Sequence, residues 1–171
     1  MPPVLVNAII AAEDERYYQH AGIDYVGVAR AAYANLLTGG RRQGASTITM
    51  QVARNFFLSS EKTLTRKLYE VLLALKIEHS LTKDQILALY INQIYLGQRA
   101  YGFAAASEIY FGKPLQEVSV AEAAMLAGLP KAPSAYNPIV NPKRANERQQ
   151  YIIDRMLENA FITPEQHAAA K

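Results

Sequence analysis

The chain has 171 residues, half of them hydrophobic and 19% charged, with 9 glycines and 8 prolines. That length suits one domain with a real core, and the composition excludes disordered, collagenous and low-complexity classes. A formal charge of +3 is too mild by itself to call for nucleic acid, and the absence of cysteine removes disulfide frameworks, thiolate metal sites and cysteine nucleophiles.

No apolar run approaches the ~18 residues that suggest a membrane span. The longest, Val4 to Ala12, is interrupted by Asn7, lacks a basic leader and ends in Glu13 and Asp14, so it does not read as a signal peptide. Any anchor of a membrane-tethered parent is expected outside this chain. Apolar residues return at three- and four-residue spacing, and no alternating run is bounded by hairpin turns, so the expected fold is mainly α, one domain over residues 1–171.

A first helix is expected over Val4 to Arg16, and a second from Asp24 to Leu37, stopped by Thr38-Gly39-Gly40. Gly39 to Ala45, with three glycines and two arginines, predicts a mobile loop. Ser46 or Thr47 can cap a third helix through Phe57, and Leu58 to Lys62 connects to a long fourth helix, Leu64 to His79. Thr82 with Gln85 has capping-box spacing for a fifth helix ending near Asn92; Phe103 to Tyr110 makes a sixth, and Ser119 with Glu122 opens an alanine-rich seventh. Asn141-Pro142 and Thr163-Pro164 each put a capping side chain before a proline, starting the last two helices. Gly128 to Pro138, with three prolines, is expected to be an ordered irregular loop.

The fourth helix is the informative one. At ~100° per residue, Leu64, Leu68, Val71, Leu72 and Leu75 form one apolar stripe, while Leu73, Ala74 and Ile77 add apolar surface on the other side, as in a central helix. Arg66 and Glu70, four apart, are expected to pair at the margin of that buried helix, with Lys67 one position round. Taken alone, such a pair is most often a structural salt bridge. Glu13 directly follows Ile9, Ile10, Ala11 and Ala12, where desolvation is expected to raise its pKa and make it a proton acceptor near neutrality, although most acids at helix ends are simply solvated.

Between Arg54 and Lys67 stand four basic residues, Arg54, Lys62, Arg66 and Lys67, against one acid, Glu61. With the glycine-rich loop and the Ser46-Thr47 helix start beside it, the segment combines guanidinium, ammonium and backbone donors suited to phosphate or pyrophosphate. A solvated basic face is the bland alternative, and no motif for reading bases or grooves is present. His20, His79 and His167 have no ligand spacing, and Ser46 has no elbow motif around it, so neither a structural metal nor a serine nucleophile is indicated.

These same residues resemble a known family. Glu13-Asp14-Glu15-Arg16-Tyr17 with His20 and Gly22, then Gly44-Ala45-Ser46-Thr47-Ile48-Thr49-Met50-Gln51, then Arg66-Lys67-Leu68-Tyr69-Glu70, resemble the first three motifs of the peptidoglycan glycosyltransferases. Lys83 to Asn92, with Ile86, Leu87 and Tyr90, resembles the fourth, and Arg148 to Met156 the fifth. Tyr17 stands where phenylalanine is usual. Met50 replaces the first of two usual glutamines, which removes an amide hydrogen-bonding group and one expected substrate contact. The family includes the glycosyltransferase domains of class A penicillin-binding proteins and related monofunctional enzymes.

The resemblance implies a lysozyme-like bilobal helical fold, with a cleft between a large lobe and a smaller membrane-facing lobe. It implies polymerisation of lipid II into β-1,4-linked glycan with release of undecaprenyl pyrophosphate, the growing lipid-linked glycan being the donor. By motif position Glu13 is the general base and Glu70 the second acid, which positions cations around the leaving group. Arg54, Lys62, Arg66 and Lys67 neutralise the pyrophosphate; Ser46, Thr47 and Gln51 bind substrate; Asp14, His20, Gly44, Tyr90 and Asn92 support the site. The inverting displacement implies Glu13 and Glu70 carboxyls more than ~6 Å apart. No cofactor is required by the sequence, although related enzymes can employ Mg2+ or Mn2+, here beside Glu13 or Asp14. The implied partners are lipid II, the membrane surface and, in a bifunctional parent, a fused transpeptidase domain, with no nucleic acid. The implied location is the outer, periplasmic or extracytoplasmic face of the bacterial cytoplasmic membrane.

Gly39 to Ala45 and Leu58 to Lys62 are expected to be poorly ordered without ligand. For the lipid chain, the neighbours of the first helix and Tyr33, Phe56 and Phe57 offer apolar surface. Two other functions fit parts of the pattern. A lysozyme-like hydrolase or lytic transglycosylase shares the fold and an acid in a helical cleft but needs no diphosphate clamp; an inactive helical binding module is hinted at by Met50 alone.

Overall fold

The computed structural model describes residues 2–38, 46–57 and 64–171. Nine α-helices are present among them: α1 Pro3–Glu13, α2 Tyr25–Thr38, α3 Ile48–Phe57, α4 Leu64–Ser80, α5 Lys83–Gln93, α6 Phe103–Phe111, α7 Val120–Ala127, α8 Pro142–Glu158 and α9 Pro164–Ala170. Short 3-10 turns cover Tyr17–Gln19 and Leu115–Glu117, and the described residues contain no β-strand beyond an isolated bridge between Tyr95 and Tyr101. The fold is mainly α, as expected. The two segments expected to be mobile, Gly39 to Ala45 and Leu58 to Lys62, lie outside the described residues.

Local capping chemistry sets most helix starts. Ser119 accepts from Glu122 N while Glu122 Oε1 accepts from Ser119 N, and Thr82 with Gln85 makes the same reciprocal pair. Thr47 is the cap of α3, its Oγ1 accepting from Met50 N at 3.1 Å. Thr163 caps α9, reinforced by Gln166. Asn141 departs from expectation: Pro142 opens α8, but the Asn141 side chain donates to Ser134 O at 3.1 Å and makes no capping bond. Proline at the first helical position removes one of the unpaired N–H groups of the helix start and is preset to the helical φ. The first helix also ends earlier than expected, at Glu13, with Asp14 as its C-cap.

The chain forms two compact units. One contains residues 1–15 and 91–171, the other residues 16–90. In the first, α1 packs against α7 and α8. Leu5, Ala8, Ile9, Ile10 and Ala11 of α1 are buried, as are Ala123, Ala124, Leu126 and Ala127 of α7 and Ile152, Ile153 and Met156 of α8. The alanines allow close helix approach. A sequence apolar all round belongs to a helix surrounded by others, and α1 occupies that position.

In the second unit α3 packs on α4, and Tyr17, Ile48, Val52, Ala53, Ala74, Ile77, Ile86 and Leu87 are buried. Here α4 departs from the central helix expected, because only one of its two sides is buried. Its buried residues are Arg66, Glu70, Ala74 and Ile77, whereas Leu64 is 90% exposed, Leu68 59% and Leu72 54%. The leucine row lies roughly opposite the buried row at ~100° per residue. Periodicity shows that a helix has two faces; it does not show which one meets the neighbouring helix.

Candidate active site

Glu70 is only 2% exposed and sits one turn after Arg66 on the inward face of α4. Arg66 Nε lies 3.7 Å from Glu70 Oε2, and Lys67 Nζ lies 3.4 Å from Oε1. Lys67 also donates to Ser46 Oγ at 2.7 Å, so one ammonium links α4 to the residue just ahead of the α3 cap. The helix therefore directs a carboxylate and a guanidinium inward while keeping the lysine half-exposed. Such a buried pair requires desolvation that its attraction barely offsets, so it contributes little to stability for the charges it carries.

A second group joins the end of the first motif to α3, α4 and α5. Thr47 Oγ1 donates to Gly22 O at 2.7 Å while accepting from Met50 N, so this hydroxyl holds two backbone segments together. Gly22 has φ +104, and a Cβ there would meet Glu78 Cγ at 3.0 Å and Ala74 O at 3.2 Å, which glycine alone avoids. Gly22 N donates to His20 Nδ1 at 3.0 Å, and Lys83 Nζ approaches the same nitrogen at 3.4 Å. Both neighbours are donors, so Nδ1 presents its lone pair to them. Lys83 also pairs with Glu78 at 2.6 Å and lies 4.4 Å over the Tyr17 ring, while Thr49 Oγ1 donates to Glu78 Oε1 at 2.7 Å. Thr49 and Lys83 stand in the second and fourth motifs without an assigned role, and Glu78 lies in none; only the tertiary packing shows that they brace His20 and Gly22.

Tyr90 OH donates to Gln51 Oε1 at 3.4 Å, and both side chains are buried. Met50 beside them is 4% exposed, a core side chain. The amide missing at this position is thus missing from the packed interior of the present chain. Arg54 is half-buried in the last turn of α3, and Asn92 is exposed on α5. Tyr33 is exposed and Phe56 half-buried. Gly44 and Lys62 lie outside the described residues, as does the side chain of Phe57.

The other acid belongs to the first unit. Glu13 closes the last turn of α1, which contains no basic residue of its own, and the adjacent Asp14 N donates to Ile10 O at 3.0 Å. From α8, Arg148 Nη2 lies 3.9 Å from Glu13 Oε1 and 3.5 Å from Ala12 O. Arg155, two turns further along α8, pairs with Glu15. Sequence placed Arg148 and Arg155 in the segment resembling the fifth motif but assigned them no role. Their partners are 135 and 140 residues away, beyond any spacing rule.

Among the described residues no group of three His, Asp or Glu side chains is gathered closely enough to hold a metal ion.

A helical chain with an acid ending one buried helix, and a second acid locked to cations on another, matches a family model described as transglycosylase over residues 1–157; the chain belongs to that family. It is 66% identical to penicillin-binding protein 1A of Neisseria cinerea over 169 residues, covering 99% of this chain and 21% of that protein. A Cupriavidus necator protein whose name, transglycosylase, is provisional is 64% identical over 163 residues, covering 95% of this chain and 70% of that protein. Among solved structures, penicillin-binding protein 1A from Haemophilus influenzae matches with a TM-score of 0.51 and 36% identity, over 72% of this chain and 15% of that one. The similarity to this structure agrees with the lysozyme-like helical fold expected above. The chain spans about a fifth of the penicillin-binding relatives it matches. No helix among the described residues is long and apolar enough to cross a membrane.

Proposed function

We propose that residues 1–171 form one peptidoglycan glycosyltransferase domain that polymerises lipid II into β-1,4-linked glycan and releases undecaprenyl pyrophosphate. The observation that carries this reading is the buried Glu70 held against Arg66 and Lys67, with Lys67 reaching Ser46 at the start of α3. Cleaving a sugar–sugar bond needs no diphosphate clamp, whereas leaving-group departure as a lipid pyrophosphate does.

Glu13 accepts the proton of the acceptor sugar's 4-hydroxyl as that oxygen attacks the donor's anomeric carbon. The bond from that carbon to the phosphate oxygen breaks in the same displacement, so the α-linked donor becomes a β-glycoside with inverted configuration. Negative charge grows on the pyrophosphate, and Arg66, Lys67 and Arg54 stabilise it. Glu70 does not face the diphosphate; it orients the two cations that do. Thr47, with His20 and Gly22, positions the backbone around Ser46, while Gln51 and Tyr90 shape the adjoining wall.

The substrate is lipid-linked, so the domain works at a membrane surface, here the outer face of the cytoplasmic membrane, and a fused transpeptidase domain is its natural neighbour in a bifunctional parent. Exposed apolar side chains on the second unit support the membrane assignment: Tyr33, Leu36 and Leu37 on α2, and Leu64, Leu68 and Leu72 on α4. Incubation with lipid II is the test. Polymer formation, lost by ~10²–10⁴ in Glu13→Gln with substrate binding retained, is the expected result. Shortening of isolated cell wall with no polymer would assign a hydrolase instead, and activity unchanged by Glu13→Gln would remove Glu13 from the chemistry.

A further inference from the structure

The three acids Glu13, Asp14 and Glu15 follow one another where α1 ends. A helix C-terminus carries partial negative charge on its last carbonyls, so a carboxylate there is disfavoured unless a cation is brought to it. The last turn of α1 supplies none. The cation comes instead from α8. Arg148 reaches both a terminal carbonyl, Ala12 O, and the Glu13 carboxylate, and Arg155 seven residues later takes Glu15. Residues seven apart share a helix face, so α8 presents two arginines in register with two alternate acids.

Arg148 is itself held in place. Its guanidinium carbon is 5.1 Å from the Tyr151 ring and 5.8 Å from the Tyr136 ring, and its side chain is 11% exposed. Gly128 leaves the room for its stem: a Cβ on that residue would stand 2.9 Å from Arg148 Cγ. Arg148 Nε is buried with no hydrogen-bond partner among the described residues. A side chain serving only to fill this space, such as methionine, would avoid that cost, so the charge at this position has a use beyond packing.

We propose that Arg148 is a positioning residue for Glu13, fixing the direction of the carboxylate and favouring its ionised, proton-accepting form. The inference rests on the reading of Glu13 as the general base. A lysine cannot replace it fully, because an ammonium lacks the planar guanidinium face that lies over the Tyr136 and Tyr151 rings and holds Nη2 between Ala12 O and Glu13.

The test is steady-state polymerisation of lipid II by the intact chain carrying Arg148→Lys or, separately, Gly128→Ala. The second variant keeps the charge and an αR backbone that alanine adopts freely, and displaces the arginine by sterics alone. Each is expected to lower kcat by ~10–100-fold with KM changed less than about threefold, as a misplaced catalytic group does. In a Glu13→Gln background, Arg148→Lys is expected to cause no further loss, because its effect passes through the missing carboxylate. A merely structural arginine would lower kcat by the same factor in both backgrounds, and that result overturns the proposal. So does full kcat in both single variants while Glu13→Gln alone is inactive, which leaves the general-base reading intact. Unimpaired polymerisation by Glu13→Gln overturns the general-base reading and the proposal together. Where Arg148→Lys lowers the unfolding midpoint enough to obscure kinetics, Gly128→Ala carries the comparison.

Discussion

Arg66 and Glu70 stand one turn apart on the inward face of α4, guanidinium to carboxylate at 3.7 Å, while Leu68 and Leu72 of the same helix face outward. This inverts the usual division of an amphipathic helix. Stability alone does not favour it, since two charges lose their hydration and two large apolar side chains keep their contact with water. Under the proposed function both halves of the inversion would serve a lipid-linked anionic substrate, the inner charges facing a diphosphate and the outer leucines a membrane.

Removing one member of the buried pair leaves the other uncompensated. Arg66→Met and Glu70→Leu are each expected to lower the unfolding free energy by about 3–5 kcal/mol, while the double variant recovers most of that loss and still makes no polymer. Urea unfolding of the three proteins checks this. A double variant as unstable as its parents would show that the pair is not the source of the effect.

The outward leucines make the opposite prediction. Leu68→Ser with Leu72→Ser should leave stability within about 0.5 kcal/mol, because both side chains are already more than half exposed. Transfer of those side chains into a bilayer interface is worth about 1 kcal/mol each, so binding to phosphatidylglycerol and phosphatidylethanolamine vesicles should fall by about tenfold or more. Vesicle co-sedimentation measures it; unchanged binding would move the membrane contact elsewhere on the protein.

Met50 lies where the family usually has a glutamine, and it is packed in the interior. Met50→Gln should therefore not raise activity. Burying an amide without a prepared partner is expected to cost about 1–3 kcal/mol of stability. A variant that polymerises lipid II faster than the parent, with an unaltered unfolding midpoint, would place this side chain at the substrate instead.

Glu122 ties the start of α7 to Lys113 at 2.8 Å. Burial works to raise its pKa, but the hydrogen bond from Lys113 and those from Ser119 outweigh it and hold the carboxyl below the ordinary glutamate value. A depressed folded-state pKa means that the unfolded chain binds the proton more readily. The contribution is present above the unfolded value, ~4.3–4.5, and is lost as pH falls through the folded one. Glu122→Gln keeps an oxygen for Ser119 N but abolishes the ionisation. Stability curves of the two proteins should converge as the pH drops below 4.5; parallel curves across that window would show that this pair adds no pH dependence.

Much of this molecule is readable along the chain because capping and helix periodicity are local. Thr82-Gln85, Ser119-Glu122 and Thr163-Pro164 start helices through bonds spanning three residues, and the structure forms all three. Asn141 shows the limit: a competing acceptor, Ser134 O, draws its side chain away from the helix it precedes. At the site, the order Glu13, Ser46-Thr47, Arg66-Lys67 and Glu70 was legible as a family pattern. The Lys83–Glu78–Thr49 brace and the reach of Arg148 to Glu13 were not. Thr49 and Glu78 are 29 residues apart and Arg148 lies at the other end of the chain from Glu13, so no local pattern encodes those contacts.

Helix identity, helix starts and the types of residue available for acid–base and phosphate chemistry come from interactions within a few residues, which the amino-acid order alone specifies. Which side of α4 turns inward, which helix is surrounded, and which arginine meets the acid that ends α1 were settled by packing. A helix exposes every side of itself in isolation, and only the neighbours placed against it decide which side chains lose their water.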